Sequence, residues 1–340
     1  RSPVLRARAP QPHTNVSTRA GAQTFPPDRA AAGLNAPAHT VFCSGATGYI
    51  GSAILRALAA EGIAAVGGLR AATALPPGII AFITGDLSLP GLRLPPVETV
   101  IHAAGLGHKR RVSAKAWHRA NVSATVNLAR AARAAGATRF ILISTAYIHG
   151  RAHGRPVTDT TPPNPQDAYA ESKLQAEHEA AAAFGPGLSI IRPVAVIGPG
   201  CPGNIAQLLN LLARGVPLPF AAIENQRSFI HRGDLARIVL AVLHSTTPPE
   251  SVLAAHPDAI STPALIRALA GGLGVADKLF PCPPRLLALG ANLLGRSGTW
   301  QSLAGNFIAN PAAARQLGYK PQESLAESFH QISRYHNTTH

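Results

Sequence analysis

The sequence predicts an α/β fold in which a doubly wound parallel sheet is followed by a smaller C-terminal lobe. Three observations predict it. The short apolar run Val41-Phe42 leads into Cys43-Ser44-Gly45-Ala46-Thr47-Gly48-Tyr49-Ile50-Gly51 and then into a helical pattern, Ser52 to Leu58. Continuous apolar strands then alternate with helical segments, as expected of parallel strands covered on both faces. Beyond about Gly198 the alternation gives way to shorter, mixed segments.

Taken in order, residues 1–40 are rich in Pro, Ala, Arg and Thr with no hydrophobic period, which predicts a disordered tail. Its arginines suit a transit peptide, but its prolines spoil amphipathicity and it does not begin with Met, so an over-extended or truncated start is the simpler expectation. The first strand begins at Val41. Ile63 to Arg70 reads as the second strand, Ile79 to Ile83 as the third, and Thr99 to Gly105 as the fourth. One helix is expected from about Ala114 to Ala135, then a fifth strand over Arg139 to Thr145, a helix carrying Tyr169, and a sixth strand over Leu188 to Pro193. Residues 41–197 are thereby assigned mainly to a dinucleotide-binding Rossmann domain. Residues 198–333 are assigned mainly to a substrate-binding lobe with returning segments. Ligands of such sheets bind at the carboxyl ends of the strands, where Gly45, Asp86, Ala103, Ala104 and Thr145 fall.

Composition narrows the function. The chain of 340 residues can bury a large core. No apolar stretch is long enough for a transmembrane helix. Leu286 to Leu294 reads as a packed helix, with interfacial membrane contact as the minor alternative. The three cysteines, Cys43, Cys201 and Cys282, show neither metal spacing nor a disulfide framework, which suits a reducing, cytoplasmic setting. The net charge is +15. Arg1, Arg6, Arg8, Arg19 and Arg29 lie in the tail against Asp28 alone, and Lys109, Arg110 and Arg111 fall in an expected cleft loop. That charge fits either attraction for a polyanionic ligand or simply solvated arginines. A basic stripe with interleaved aromatics is absent, so nucleic acid is not the expected partner.

Glycines at G-x-x-G-x-x-G spacing let the chain turn tightly from strand to helix and let a pyrophosphate approach main-chain N–H groups at the helix N-terminus. Gly45, Thr47, Gly48, Tyr49, Ile50 and Gly51 are the expected cofactor loop. Downstream, Tyr169-Ala170-Glu171-Ser172-Lys173 sets a phenol and an ammonium about one helical turn apart on one face. Oxidising a secondary alcohol needs a base for the hydroxyl proton. A neighbouring ammonium and a positive nicotinamide would draw a phenol's pKa down from its ordinary value near 10. Tyr169 and Lys173 supply this pair, Lys173 would also hold the nicotinamide ribose, and Thr145 or Ser144 would hydrogen-bond the substrate oxygen.

These motifs resemble the extended short-chain dehydrogenase/reductases, specifically the NAD-dependent epimerase/dehydratase group, and among them bacterial UDP-glucose 4-epimerase-like proteins of surface-polysaccharide gene clusters. The resemblance runs from Val41 to about Ser333. It is carried by Ser44 to Gly51, Gly85-Asp86-Leu87, His102-Ala103-Ala104-Gly105, Asn121-Val122, Ile143-Ser144-Thr145, Tyr169 to Lys173, Arg192-Pro193 with Gly198-Pro199-Gly200, Arg227 to His231 through Asp234-Leu235-Ala236, and Asn310 to Pro321. It implies that Asp86 and Leu87 contact the adenine and that Ala103, Ala104 and Gly105 line the cofactor groove. It further implies that Thr145 is the catalytic hydroxyl, that Arg227 binds a sugar nucleotide's diphosphate, and that Asn204 touches it. Asn121 matches either a catalytic or a structural asparagine.

Two departures from the family pattern matter. Dehydratases carry an Asp-Glu pair after the catalytic Thr, whereas Ala146 and Tyr147 stand here, which disfavours dehydration. The second strand ends in Gly68-Leu69-Arg70, with no acid for a ribose 2′-hydroxyl, and Arg70 could pair with a 2′-phosphate, so the cofactor is NAD or NADP. The leading expectation is a UDP-sugar 4-epimerase, compatible with a homodimer. A nucleotide-sugar 4-ketoreductase, a non-catalytic dinucleotide-binding protein, and a hydroxysteroid or flavonol-type reductase follow in that order.

Overall fold

A computed structural model of the chain describes residues 40–107 and 112–339. The expected tail up to residue 39, and the basic residues Lys109, Arg110 and Arg111, lie outside the described residues. The first half runs β1 (Val41–Ser44), α1 (Gly51–Ala60), β2 (Ala65–Leu69), β3 (Ile79–Ile83), β4 (Thr99–His102), α2 (Ala114–Trp117), α3 (Ala124–Ala134), β5 (Arg139–Ile143), α4 (Ala168–Phe184) and β6 (Leu188–Pro193). There follow β7 (Ala195–Ile197), α5 (Asn204–Ala213), β8 (Arg227–His231), α6 (Arg232–His244), β9 (Ser251–Ala254), β10 (Ala259–Ile260) and α7 (Thr262–Leu273). The chain closes with α8 (Pro284–Leu293), α9 (Ser297–Ala304), α10 (Ala312–Gln316) and α11 (Leu325–Thr339).

The main sheet has seven parallel strands in the order β3-β2-β1-β4-β5-β6-β9. All four residues of β1 and of β4 are buried, the polar Ser44, Thr99 and His102 included. Strand order reverses between β1 and β4, which opens a crevice at their carboxyl ends. The loop after β1 and the loop after β4 therefore face each other. A second sheet of three strands, β10-β8-β7, stands apart. Both α6 and β9 lie beyond Gly198 yet join the first sheet, α6 against α1 and β9 beside β6. A separate apolar cluster gathers Leu208, Leu212, Ile266, Leu269, Phe329 and Ile332 from α5, α7 and α11.

The expected single helix from Ala114 to Ala135 is divided. Between α2 and α3 the chain widens into a π-helical stretch, His118–Ser123. The Thr125 hydroxyl donates back to the Asn121 carbonyl (2.5 Å), and the Asn121 side chain leaves the helix for Leu106, so side-chain bonds compete with the regular ladder there. Strands β4 and β5 end at His102 and Ile143, earlier than the apolar runs suggested, because the residues beyond them turn into the crevice loops.

Close approach shapes the loop after β1. A Cβ on Gly45, whose φ is +71°, would sit 2.7 Å from the main-chain nitrogen of Ala104. One on Gly51 would sit 2.2 Å from the carbonyl oxygen of Gly45. Both obstacles are backbone and cannot swing away. Gly51→Ala is expected to lower stability by about 1–3 kcal/mol, the usual cost of an overpacked site; an unchanged urea midpoint would show that the loop has room to spare.

Candidate active site

The loop from Gly45 to Gly51 opens α1. Inside it, the Gly48 N–H donates to the Gly45 carbonyl (2.8 Å), while among the described residues the N–H groups of Tyr49 and Ile50 donate to no main-chain carbonyl. Helix α1 has no side-chain cap and no acid in its first turn. Its positive end is thus left for an anion, and Thr47 and Gly48 are exposed beside it. The Tyr49 phenol is buried with no partner among the described residues. Its ring lies under the Arg232 guanidinium (5.1 Å), and burial pushes its pKa well up. His231, which caps α6 by accepting the Gly233 N–H at Nδ1 (3.2 Å), likewise leaves a buried Nε2 unpartnered. Both orphaned atoms lie next to Gly198.

A buried chain of hydrogen bonds ties this loop to its neighbours, and each proton in it is assigned by counting. The single Thr125 hydroxyl proton goes to the Asn121 carbonyl, so Thr125 must accept from His102 Nε2 (3.0 Å). His102 Nδ1 is then bare and accepts from the Ser44 hydroxyl (2.7 Å), which itself accepts the Ala104 N–H (3.3 Å). Burial, with Lys173 adding to it, pushes the His102 pKa down to about 3, so the ring stays neutral. Asn121 extends the chain. Its side chain accepts from the Leu106 N–H (2.8 Å) and donates to the Ser172 hydroxyl (2.9 Å), which donates to the Tyr169 carbonyl (2.8 Å). Asn121 thus joins the β4 loop to α4 by structural bonds.

Helix α4 carries the phenol and the ammonium. Asp167 caps it by accepting the Ala170 N–H (2.9 Å) and is itself paired with Arg151. The half-buried Tyr169 ring stacks on Trp117 (5.4 Å). Its hydroxyl is hydrogen-bonded to the Thr145 side chain. Thr145 and Ser144 both stand buried just past β5, and of the two the Ser144 hydroxyl has no partner among the described residues. Lys173 is buried and donates to the Ile143 carbonyl (2.8 Å). Burial pulls its pKa down to about 8, against the nearby Glu177 carboxylate, which raises it. Glu177 is held in a buried pair with Arg192 (2.7 Å).

The electrostatics of Tyr169 depart from the sequence expectation. Burial pushes the phenol up to about 12, Tyr147 and Asp167 add to that, and only the Thr145 bond and Arg151 act the other way. Lys173, whose ammonium is directed at the Ile143 carbonyl, is not among the groups that draw it down. The chain alone therefore keeps the phenol protonated at neutral pH.

The other expected residues fall as follows. Ala103, Ala104 and Gly105 form the loop facing Gly45. Arg70 stands exposed just past β2. Asp86 is already engaged, accepting from Ser88 (2.7 Å) and from Arg119 (2.6 Å), and Leu87 offers its carbonyl to Asn127 (3.0 Å). Asn204 is exposed at the first turn of α5. Arg227 is buried in β8, with Nη1 given to the carbonyls of Gln301 (3.3 Å) and Gly305 (2.7 Å). Those two residues line a cavity of about 360 Å³ together with Trp300, Pro284 and Glu224. Among the described residues no group of His, Cys, Asp and Glu could hold a metal.

Sequence reasoning assigned no role to Trp117, His231, Arg232 or the Arg151–Asp167 pair. Asp167, three residues before Ala170, carries a cap signal that could have been read. The others come from distant segments and have no local signal.

The model of the NAD dependent epimerase/dehydratase family matches residues 41–255. The chain is 29% identical over 311 residues to the UDP-glucose 4-epimerase of Vibrio cholerae, covering 87% of this chain and 94% of that protein. It is 31% identical over 286 residues to the ceramide reductase of Caulobacter vibrioides, covering 82% and 83%. The fold superposes on the UDP-glucuronic acid 4-epimerase of Bacillus cereus, solved in complex with NAD, with a TM-score of 0.72 at 19% identity, covering 88% of this chain and 99% of that one. With a nucleotide-type crevice at the switch point and a tyrosine, lysine and threonine gathered beside it, the chain belongs to the NAD-dependent epimerase/dehydratase family.

Proposed function

We propose that this protein is an NAD(P)-dependent nucleotide-sugar 4-epimerase in which Tyr169 is the acid/base. The observation that carries the reading is the hydrogen bond between Tyr169 and Thr145 at the end of β5, with Lys173 one turn further along α4. The likeness to the Vibrio cholerae UDP-glucose 4-epimerase supports the choice of substrate. The dinucleotide fits the loop: glycines where a Cβ would collide, and free N–H groups at an uncapped helix start. When bound it supplies the acceptor and donor of the hydride.

In this reading residues 41–197 mainly hold the dinucleotide and residues 198–333 mainly hold the sugar. Gly45, Thr47, Gly48, Tyr49, Ile50 and Gly51 cradle the pyrophosphate, Asp86 and Leu87 flank the adenine, and Ala103, Ala104 and Gly105 wall the groove. Thr145 fixes the sugar hydroxyl. Tyr169 takes its proton as the C4 carbon is oxidised and returns it after the keto sugar has turned, so that hydride comes back to the opposite face. A phenol held protonated suits the returning step, and removal of the proton needs positive charge brought next to the ring. Lys173, lifted off Ile143, is the chain's own source of that charge. Arg227 and Asn204 stand for the diphosphate. A second reading, an NADPH-dependent ketoreductase, is favoured by Arg70, which occupies the end of β2 where an acid would grip a ribose hydroxyl.

Three measurements test this. Calorimetry with UDP in the presence of NAD should show binding, and Arg227→Ala should weaken it by roughly 1.5–3 kcal/mol. Wild-type protein that binds no nucleoside diphosphate at millimolar concentration would overturn the nucleotide-sugar substrate. Tyr169→Phe should lower turnover by about 10²–10⁴ with cofactor affinity retained; a change within about threefold would remove Tyr169 from the chemistry.

The third concerns Lys173, whose pKa is depressed from 10.5 to about 8 in the folded chain. Below pH 8 the folded state bears the full cost of the buried charge. Between pH 8 and about 10 the unfolded chain binds the extra proton, so stability rises with pH through that window. Urea denaturation should show wild type gaining on Lys173→Met across it, and parallel curves would mean the lysine is not buried charged.

A further inference from the structure

We propose that the outer face of α8 seats on an anionic membrane surface. This goes beyond the proposed reaction and does not depend on it. Helix α8 buries none of its residues. Leu286, Leu289 and Leu293, at i, i+3 and i+7, form one stripe, and they are 60%, 56% and 80% exposed. Leu294 (73%) extends the stripe past the helix end and Phe280 (45%) precedes it. The inner side, Leu287, Ala288 and Ala291, is half-buried, so the helix already rests on the protein with its less bulky face and turns its leucines outward.

The charges around the stripe select the occupant. From Lys278 to Gln322 the chain carries no acidic residue. Arg285 and Arg296 are exposed at either end of the helix. An apolar stripe bracketed by arginines is the arrangement that sinks leucines to the headgroup–acyl boundary while guanidinium groups meet lipid phosphates. A second copy of this chain is a poorer occupant, because a two-fold contact through the stripe would bring like-charged arginines towards one another, and the segment from Lys278 to Gln322 holds no acid to pair them. Crossing the bilayer is excluded for α8 by length: ten residues rise about 15 Å, and no helix among the described residues is long and apolar enough to span. The helix lies on the surface. Pro284 of α8 and Trp300 of α9 rim the cavity beside Gln301 and Gly305, so docking would bring the mouth of that cavity to the membrane plane.

The test is flotation of the full-length chain with vesicles of phosphatidylcholine alone and with added phosphatidylglycerol. Wild type should float with the anionic vesicles. Leu289→Glu with Leu293→Glu should bind them at least about tenfold more weakly. Leu289→Ser with Leu293→Ser, which adds no charge, should also bind more weakly, showing that apolar insertion contributes. These side chains are exposed, so melting temperature and turnover should not change. Arg285→Glu with Arg296→Glu should cut binding to the anionic vesicles and leave the weak binding to neutral ones. Any of three results overturns the proposal: no flotation of wild type; leucine variants that float as wild type does, so that charge elsewhere carries the binding; or a wild-type dimer in sedimentation that the leucine variants dissolve, which would make the stripe a contact between copies.

Discussion

The arrangement of the site depends on how closely the loop after β1 approaches the loop after β4. Only a residue without Cβ can stand at Gly45, because the backbone of Ala104 occupies the space. That approach lets the Ser44 hydroxyl accept the Ala104 N–H and donate to His102, and so starts the buried chain that continues through Thr125 to Asn121. A neutral histidine suits this place: it donates on one side and accepts on the other without bringing a charge into the sheet. A lysine or arginine there would need a counter-ion, and an apolar residue would leave the Ser44 hydroxyl without its acceptor and the Thr125 oxygen without its donor. From Asn121 the same chain reaches α4, so the glycine loop and the tyrosine helix are set relative to one another by bonds whose directions are all determined.

Burial decides the resting protonation of the two groups on that helix, and it decides them in opposite senses. It favours the neutral form of each. For Tyr169 that means a proton kept; for Lys173 it means a proton readily lost. Glu177 restrains the second effect, but its own charge is shared with Arg192, so the lysine receives only part of its field. The site without ligand is therefore poised as an acid. In the proposed reaction its conversion to a base requires positive charge brought next to the ring, since further loss of water would only hold the proton more firmly.

Much of this was legible in the sequence, for reasons that are local. Strand β3 is a short unbroken apolar run and β6 a mostly apolar one, and the positions of both follow from them directly. The glycine spacing and the Tyr169–Lys173 turn are also local patterns. What was not legible needs partners from elsewhere in the chain. The break of the helix at His118–Ser123 arises because Asn121 reaches Leu106 and Ser172, neither of which is near it in sequence. The placing of α6 and β9 in the first sheet is a matter of topology, which alternating apolar segments alone do not settle. The high phenol pKa of Tyr169 reflects burial and the charges of Tyr147 and Asp167, which no spacing rule contains.

Arg227 shows how a residue read by family likeness acquires a second role in the fold. Helix α9 ends with carbonyls that have no partner further along the helix. Arg227 Nη1 takes that of Gly305, just past the helix, and shares that of Gln301 with the Gly305 N–H, while Asn225 (2.9 Å) and the Thr262 hydroxyl (2.6 Å) both take Leu303. Beside them Arg151 bonds Ser302 on α9 while pairing with Asp167, the cap of the Tyr169 helix. The late segment is thus laced to both β8 and α4. The wall of the cavity and the helix that bears the phenol are in this way joined through Arg227, Arg151 and Asp167.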